Sequence, residues 1–396
     1  LSKILVEDPE DQTRVPFLRG ILIRSLQDAG IPFDEAFEIA SQIRNDLGNT
    51  ARVTTDDLHQ IVLKRLQALG RDTVASRYEK HNLPLTTQIE QRDGQLLPFS
   101  RREYQHCLET IGLESNEADH VVQVLQQHLL DRHIEQISSR HLSQLTYRYL
   151  RQSRALGPAV AHRWLVWRDF VHSGRELIYL IGGTAGCGKS TTATMLASRL
   201  DIVRTQSTDM LREIMRTMIP VQLMPVLHRS SFNAWQALPG QLQTDGKVSD
   251  SQLIQGYRSQ ADLLSVAIEA VIQRAMRERV SLVLEGVHIH PAFMEKLKKE
   301  SEAVVIPVML GVLKRKQLQS RITGRGSDIP QRRAGRYLDH FDEIWRLQSY
   351  LLSEADQANI PIVSNASRDK VFREIMRITI DTLAEQFDGK AEALSA

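Results

Sequence analysis

Cysteine is nearly missing from this chain: 396 residues hold two, Cys107 and Cys187. Two thiols so far apart exclude a disulfide framework and a thiolate metal cluster, and they fit a reducing compartment. Long apolar runs are missing as well. The longest, around 177–181 and 303–313, fall well short of the roughly 18 residues that read as a membrane span. The opening Leu1-Ser2-Lys3-Ile4-Leu5-Val6-Glu7-Asp8-Pro9 turns acidic too soon for the apolar core of a signal peptide. The expectation is a cytoplasmic protein with no membrane partner. Nor does one sign of charge dominate. Fifty Lys+Arg against 48 Asp+Glu leave a formal +2, and no basic stripe interleaved with aromatics stands out, so nucleic acid is not an expected partner. Lysine is scarce, at 12 of the 50 basic residues, which leaves 38 arginines. Arginine binds carboxylates and phosphates with a planar fork, so its placement matters more than the net charge.

What is present is ordinary globular composition, 42% hydrophobic and 25% charged, in a chain long enough for two or three domains. The first half repeats itself. Val15-Pro16-Phe17-Leu18-Arg19 returns as Leu97-Pro98-Phe99-Ser100-Arg101, and at the same spacing Leu26 meets Leu108, Gly30 meets Gly112, and Ile43 meets Leu125. Thr54-Thr55 and Leu58 then meet Ser138-Ser139 and Leu142 after a two-residue insertion. This is one module used twice. Ala36, Ile39, Ala40, Ile43 and Leu47 recur at the spacing of one buried helix face. Thr55 is the expected N-cap of the helix that follows. In the second copy, Arg92-Asp93-Gly94-Gln95 predicts a hairpin turn between short strands at 87–91 and 96–97.

The second half changes character near Ser173-Gly174. Short apolar runs at 177–181, 202–205, 280–284, 304–310 and 360–363 alternate with helical stretches at 191–200, 252–279 and 334–355. That alternation predicts an α/β fold, a parallel sheet with helices on both faces. The expected domains are 1–85, 86–172 and 173–396, two mainly helical modules before the sheet.

Gly183-Thr184-Ala185-Gly186-Cys187-Gly188-Lys189-Ser190 completes the eight-residue phosphate-loop pattern between a predicted strand and a predicted helix. Glycines let backbone amides turn in around phosphate, and the helix start adds its positive end. Lys189 is expected on the β- and γ-phosphates of ATP, and Ser190 on Mg²⁺, with Thr191 next along. Lys189 is also the sole lysine between Lys80 and Lys247. Cys187 is read as filling space.

Asp209 ends the second predicted strand, where ligands of parallel sheets sit. It suits an acceptor hydroxyl or Mg²⁺, and it equally suits a helix N-cap. Glu285 ends an apolar strand, as the metal-supporting acid of nucleotide-binding folds does. His288 and His290 are open to substrate binding or to a hydrogen-bonded structural role; zinc lacks further ligands nearby. Arg212, Arg216 and Arg258 are candidate substrate-binding residues. Residues 314–336, with Arg315, Arg321, Arg325, Arg332, Arg333 and Arg336, predict a lid whose arginines neutralise a transferring phosphoryl group.

With these segments in view the second half resembles the 2-phosphoglycerate kinase family. The likeness runs through 181–200, through Ser207-Thr208-Asp209-Met210-Leu211-Arg212, through His228-Arg229-Ser230-Ser231-Phe232-Asn233-Ala234-Trp235, through Glu285-Gly286-Val287-His288, and through Tyr337-Leu338-Asp339-His340-Phe341. It adds His228 to the substrate-binding candidates. The first half resembles the ATP-cone module, best at 89–101. The resemblance implies transfer from ATP, with Mg²⁺, to 2-phosphoglycerate, giving 2,3-bisphosphoglycerate. Lys189, Asp209, Glu285, Arg321 and Arg325 would then be catalytic, and Ser190, Asp209 and Glu285 would face the metal. A kinase of inositol or inositol phosphates, and a non-catalytic ATP-sensing regulator, remain alternatives. A homo-oligomer is left open.

Overall fold

The computed structural model describes residues 4–7, 14–29, 31–48, 50, 52–72, 74–76, 78, 87–91, 93–132, 134–239, 248–328, 334–365 and 367–389. The chain divides into two compact units, Leu1–Gln88 and Ile89–Ala396. In the first unit β1 (Leu5–Glu7) pairs antiparallel with β2 (Arg14–Pro16) and parallel with β3 (Arg52–Thr54). Helices α1 (Arg19–Asp28), α2 (Phe33–Asp46) and α3 (Thr55–Ala68) pack with it, and residues 72, 74–76 and 78 are helical as well. Ile39, Ala40 and Ile43 of α2 bury against Leu26, Val62 and Leu66, as the helical spacing of the sequence predicts. The α3 cap is Thr54, whose hydroxyl accepts from the Asp57 amide at 3.1 Å. Thr55 is the first helical residue, so the cap lies one position before the expected one.

The same order of elements recurs after the unit boundary, which falls at the first residue of β4 (Gln88–Glu90). β5 (Leu96–Pro98), α4 (Arg101–Thr110), α5 (Ser115–Asp131), β6 (Gln136–Ser138) and α6 (Ser139–Gln152) follow. Their sheet runs β5-β4-β6, matching β2-β1-β3. The expected Asp-Gly turn is formed: Asp93 accepts from the Gln95 amide at 3.0 Å, and Gly94 has φ 81°. Arg92, and the corresponding first-copy segment at 8–13, lie outside the described residues.

Helix α7 (Gly157–Ser173) ends at Gly174, which sits in the left-handed region at φ 65°. The parallel sheet begins there. It comprises β7 (Leu177–Gly182), β8 (Arg204–Ser207), β9 (Leu282–Gly286), β10 (Val304–Gly311) and β11 (Ile362–Ser364), in the order β11-β10-β7-β9-β8. Every pair in it is parallel. Between strands run α8 (Lys189–Arg199), α9 (Thr208–Met218), α10 (Asp250–Arg277), α11 (Pro291–Glu300), α12 (Arg315–Asp328), α13 (Ala334–Asp339) and α14 (Phe341–Gln357); α15 (Arg368–Ala384) closes the fold. β7, β9 and β10 are buried along their whole length, as strands covered on both faces must be. Ile178 and Leu180 pack into a cluster with Leu264 and Ile268 of α10, Met294 of α11 and Leu347 and Leu351 of α14. Tyr179 points the other way and meets Thr379 of α15 at 3.0 Å.

Two elements differ from expectation. β8 begins at Arg204, not in the apolar pair before it, because Val203 is 85% exposed. An edge strand paired only with β9 needs little apolar content. The helix expected over 334–355 is broken at His340, whose backbone leaves helical geometry (φ −114°, ψ 26°) while its ring packs 5.2 Å from Phe232. Among the described residues no helix is long and apolar enough to cross a membrane.

Candidate active site

The chain visits β7 first, crosses to the edge strand β8, returns to place β9 between them, and then passes to the other side of β7 for β10 and β11. The crevice at the C-terminal end of β7 is therefore the switch point where open parallel sheets bind ligands. The phosphate loop lies in it. Gly183 has φ 135°, and a Cβ there would lie 2.5 Å from the Leu310 carbonyl; Gly188 has φ 91°, and a Cβ would lie 2.1 Å from Asn365 Nδ2. Only glycine satisfies both the backbone angle and the space. The loop is tied from behind by Asn365, whose Nδ2 donates to the Cys187 carbonyl at 2.7 Å. Cys187 itself is buried. Lys189, 8% exposed, donates Nζ to the Thr184 carbonyl at 2.9 Å. The Thr184 hydroxyl is buried without a hydrogen-bond partner among the described residues. Gly186 completes the bend, and Thr191 is exposed on the first turn of α8.

A cavity of about 530 Å³ opens over this loop. Ala185, Gly186, Lys189 and Ser190 form its floor. Asp209, Arg212 and Glu213 of α9 form one wall, with Ser230, Ser231 and Phe232 beside them; Glu285 lies on β9 and Val287 just after it, and Ile322 and Tyr337 come from α12 and α13. Ser190 Oγ donates to Glu285 Oε1 at 2.9 Å. Asp209 does not serve as the cap of α9. Ser207 does, accepting from the Asp209 amide at 3.2 Å. The Asp209 carboxylate thus stays at the cavity surface. Arg212 reaches across to the Leu227 and Arg229 carbonyls at 3.3 and 2.8 Å, and its Nε is buried without a partner among the described residues.

The other expected residues lie elsewhere. Arg216 is exposed and pairs with Glu213 at 2.6 Å. His228, in the 3-10 turn Pro225–His228, meets the Ile219 carbonyl at 2.9 Å. Arg258 leaves α10 on a different face, where it bonds Glu354 at 2.8 Å and Tyr350. Neighbouring helix residues diverge by about 100°, so Arg258 departs from buried Tyr257 and Gln260. His288 is 2% exposed and lies behind the wall. His290 meets the Tyr350 hydroxyl at 3.0 Å. Burial lowers the pKa of both imidazoles, that of His288 to about 4. Arg321 donates to the Asn365 carbonyl at 2.6 Å, bracing α12 against the loop's own support. The Arg325 side chain, Arg332 and Arg333 lie outside the described residues. Arg336, not singled out above its neighbours in the sequence, donates to Ser230 Oγ at 2.9 Å and joins α13 to the cavity wall. In the second module Arg101 pairs with Asp119 at 3.1 Å, while Arg102 is exposed.

Sequence reasoning passed over Ser230, Ser231, Phe232 and Tyr337. They sit inside the two segments quoted for the family likeness, where the histidine and the arginines drew attention instead. Gly286 was also unremarked. A Cβ there would lie 1.7 Å from Thr208 Oγ1, so β9 and α9 approach closely only because this residue is glycine. Gly286→Ala is expected to lower stability by about 1–3 kcal/mol through overpacking. A thermal melt checks it, and an unchanged midpoint would contradict the close approach.

Oxygen donors suit Mg²⁺, and Ser190, Asp209 and Glu285 supply them on one cavity. Among the described residues no cluster of three or more His, Cys, Asp or Glu forms a dedicated metal cage.

No protein-family model matches the chain. Curated relatives do. The 2-phosphoglycerate kinase of Pyrococcus horikoshii is 33% identical over 302 residues, which cover 76% of this chain and 96% of that protein. The 2-phosphoglycerate kinase of Pyrococcus furiosus is 32% identical over 298 residues, 75% of this chain and 94% of its own. The 2-phosphoglycerate kinase of Thermococcus kodakarensis is 32% identical over 384 residues, 96% of this chain and 99% of its own, so the similarity extends through both units.

Proposed function

Because the chain belongs to the 2-phosphoglycerate kinase family, we propose that it transfers the γ-phosphoryl group of ATP to the primary hydroxyl of 2-phosphoglycerate, giving ADP and 2,3-bisphosphoglycerate. The observation that carries this reading is the composition of the cavity over the Gly183–Ser190 loop: that loop forms its floor and, facing it, stand two acids, an arginine and two serines. A bare nucleotide sensor has no need of that second wall. The acceptor carries a phosphate, a carboxylate and one free primary hydroxyl, and therefore calls for cationic forks and one base.

In this reading the loop amides, the unpartnered Thr184 hydroxyl and Lys189 hold the nucleotide phosphates. Lys189 gives up its carbonyl partner for the β- and γ-phosphate oxygens. Ser190, Glu285 and Asp209 face Mg²⁺, which, when bound, neutralises charge on those oxygens. Asp209 orients the acceptor hydroxyl and takes its proton as the acceptor oxygen bonds to the γ-phosphorus and the bond to the β-phosphate oxygen breaks. Arg212, on the cavity wall, and Arg336, through its remaining donors, present guanidinium charge to the acceptor's anionic groups. Arg321 acts through the loop's support rather than on the ligand. Positioning and charge neutralisation supply most of the rate, since the transition state is loose.

The test is direct. Incubate the full chain with ATP, Mg²⁺ and each acceptor in turn, and follow ³¹P spectra. A new phosphomonoester with 2-phosphoglycerate and none with inositol or inositol phosphates is the expected result. The reverse pattern assigns the cavity to a polyol. The two N-terminal modules are read, from resemblance, as ATP-cone-like regulatory units. Calorimetry on a Lys189→Ala chain checks this: one residual nucleotide site supports it, and none removes it.

A further inference from the structure

His288 lies where three elements of the acceptor wall meet, and its surroundings fix the position of its proton. Nδ1 lies 2.9 Å from Thr208 Oγ1, and Nε2 lies 3.0 Å from Gln260 Oε1. Thr208, Gln260 and His288 are all buried, with the first two at 0% exposure. The Gln260 amide nitrogen faces two backbone carbonyls, Val226 at 2.6 Å and Arg229 at 2.9 Å. Carbonyl oxygens only accept, so that end of the amide must be the NH₂ group, and both its protons are used. The other end is then an oxygen, which cannot donate. The proton between Gln260 and His288 must sit on His288 Nε2.

The rest follows by accounting. A neutral ring protonated at Nε2 has a bare Nδ1, which accepts the Thr208 hydroxyl proton. Burial keeps the ring neutral by lowering its pKa to about 4; Asp209 opposes that shift, and Arg212 and Lys189 assist it. The two ends of this chain of hydrogen bonds matter. Thr208 is followed by Asp209, and Arg229 by Ser230, and both successors line the cavity. Arg212 makes a parallel tie to the Arg229 carbonyl at 2.8 Å.

We infer that His288 is a positioning residue: a neutral imidazole, protonated at Nε2, that sets the separation between the Asp209 end of α9 and the Ser230 segment through Thr208 and Gln260. It touches neither substrate nor reacting atoms. Its role rests on the acceptor wall proposed above, and it predicts that breaking the chain of bonds loosens the acceptor while sparing the nucleotide.

Two measurements test it on the full chain. The first is a long-range ¹H–¹⁵N correlation spectrum of protein labelled at histidine, with the ring assigned by its loss in His288→Gln. The expected ring shows a protonated-type Nε2 and an unprotonated-type Nδ1 at neutral pH. A proton on Nδ1, or on both nitrogens, overturns the inference. The second compares Thr208→Val with Thr208→Ser. Valine keeps the shape, removes the donor and leaves a buried acceptor unpaired. Thr208→Val is expected to raise the acceptor KM about tenfold, with the ATP dissociation constant unchanged, while serine restores the wild-type value. A wild-type acceptor KM in the valine variant, or an equal loss in the serine variant, overturns the inference. Should the wild-type chain phosphorylate no acceptor, the proposed reaction fails, yet the ring still stands or falls by its spectrum.

Discussion

Lys189→Ala is expected to leave a folded protein whose phosphoryl transfer is at least about a thousandfold slower. The two halves of that result have separate causes. Lys189 is 8% exposed, and its ammonium donates to the neutral Thr184 carbonyl at 2.9 Å. Taking an ammonium out of water costs several kcal/mol, which a carbonyl repays only in part. Alanine removes a charge that the fold gains little by burying, so the melting midpoint is expected to hold or rise. The chemistry has no such substitute. As the γ-phosphoryl group leaves, its charge spreads over oxygens that need a fixed cation, and a water-excluding site magnifies the effect. Lys189→Arg is expected to fail as well, because a planar fork does not fit where an ammonium reaches into the bend. The ³¹P time course and a thermal melt read the two halves independently. Turnover within tenfold of wild type would remove the phosphate loop from the reaction.

The phosphate loop was legible in the sequence because it is local. Eight consecutive residues carry its geometry, and the flanking apolar runs announce the strand and helix that hold it. The opposite wall was legible only in pieces. Asp209, Ser230 and Tyr337 are far apart in the chain, and only the fold brings them to one cavity. Residue type points to chemistry but does not say which side of an element a side chain takes. Glu285 ends β9 and Val287 lies in the turn after it, both lining the cavity, while His288, next along, turns behind it; past the end of the strand no periodicity says which way a side chain points. Arg258 is the helical version of the same error. The strands of the N-terminal modules are three residues each, too short for alternation to register.

The arginine excess also changes meaning. In the sequence it reads as a grip on anions. In the structure much of it holds loops together: Arg212 ties two carbonyls of the wall, Arg321 ties Asn365, and Arg346 ties the Val248 carbonyl at 2.8 Å. A fork with five donors and no acceptor suits loop carbonyls as well as it suits phosphate.

Asp209→Asn is expected to cut kcat for the acceptor by about a hundredfold or more. The substitution is nearly isosteric. It does not disturb the cap of α9, because Ser207 makes that bond, and the side chain is exposed, so no buried partner is stranded. What it removes is the negative charge and the site that accepts the hydroxyl proton. Glu213, one helical turn along, is the natural control, since it lines the same cavity. Its carboxylate is already engaged by Arg212 at 3.2 Å and Arg216 at 2.6 Å. Those partners already occupy it as a hydrogen-bond acceptor, so Glu213→Gln is expected to lose far less than Asp209→Asn. Single-turnover kinetics with saturating ATP and 2-phosphoglycerate separates the two. Equal losses would mean that the wall supplies only diffuse negative charge. A large loss confined to Asp209 identifies one carboxylate, left uncapped and unpaired by the fold, as the base.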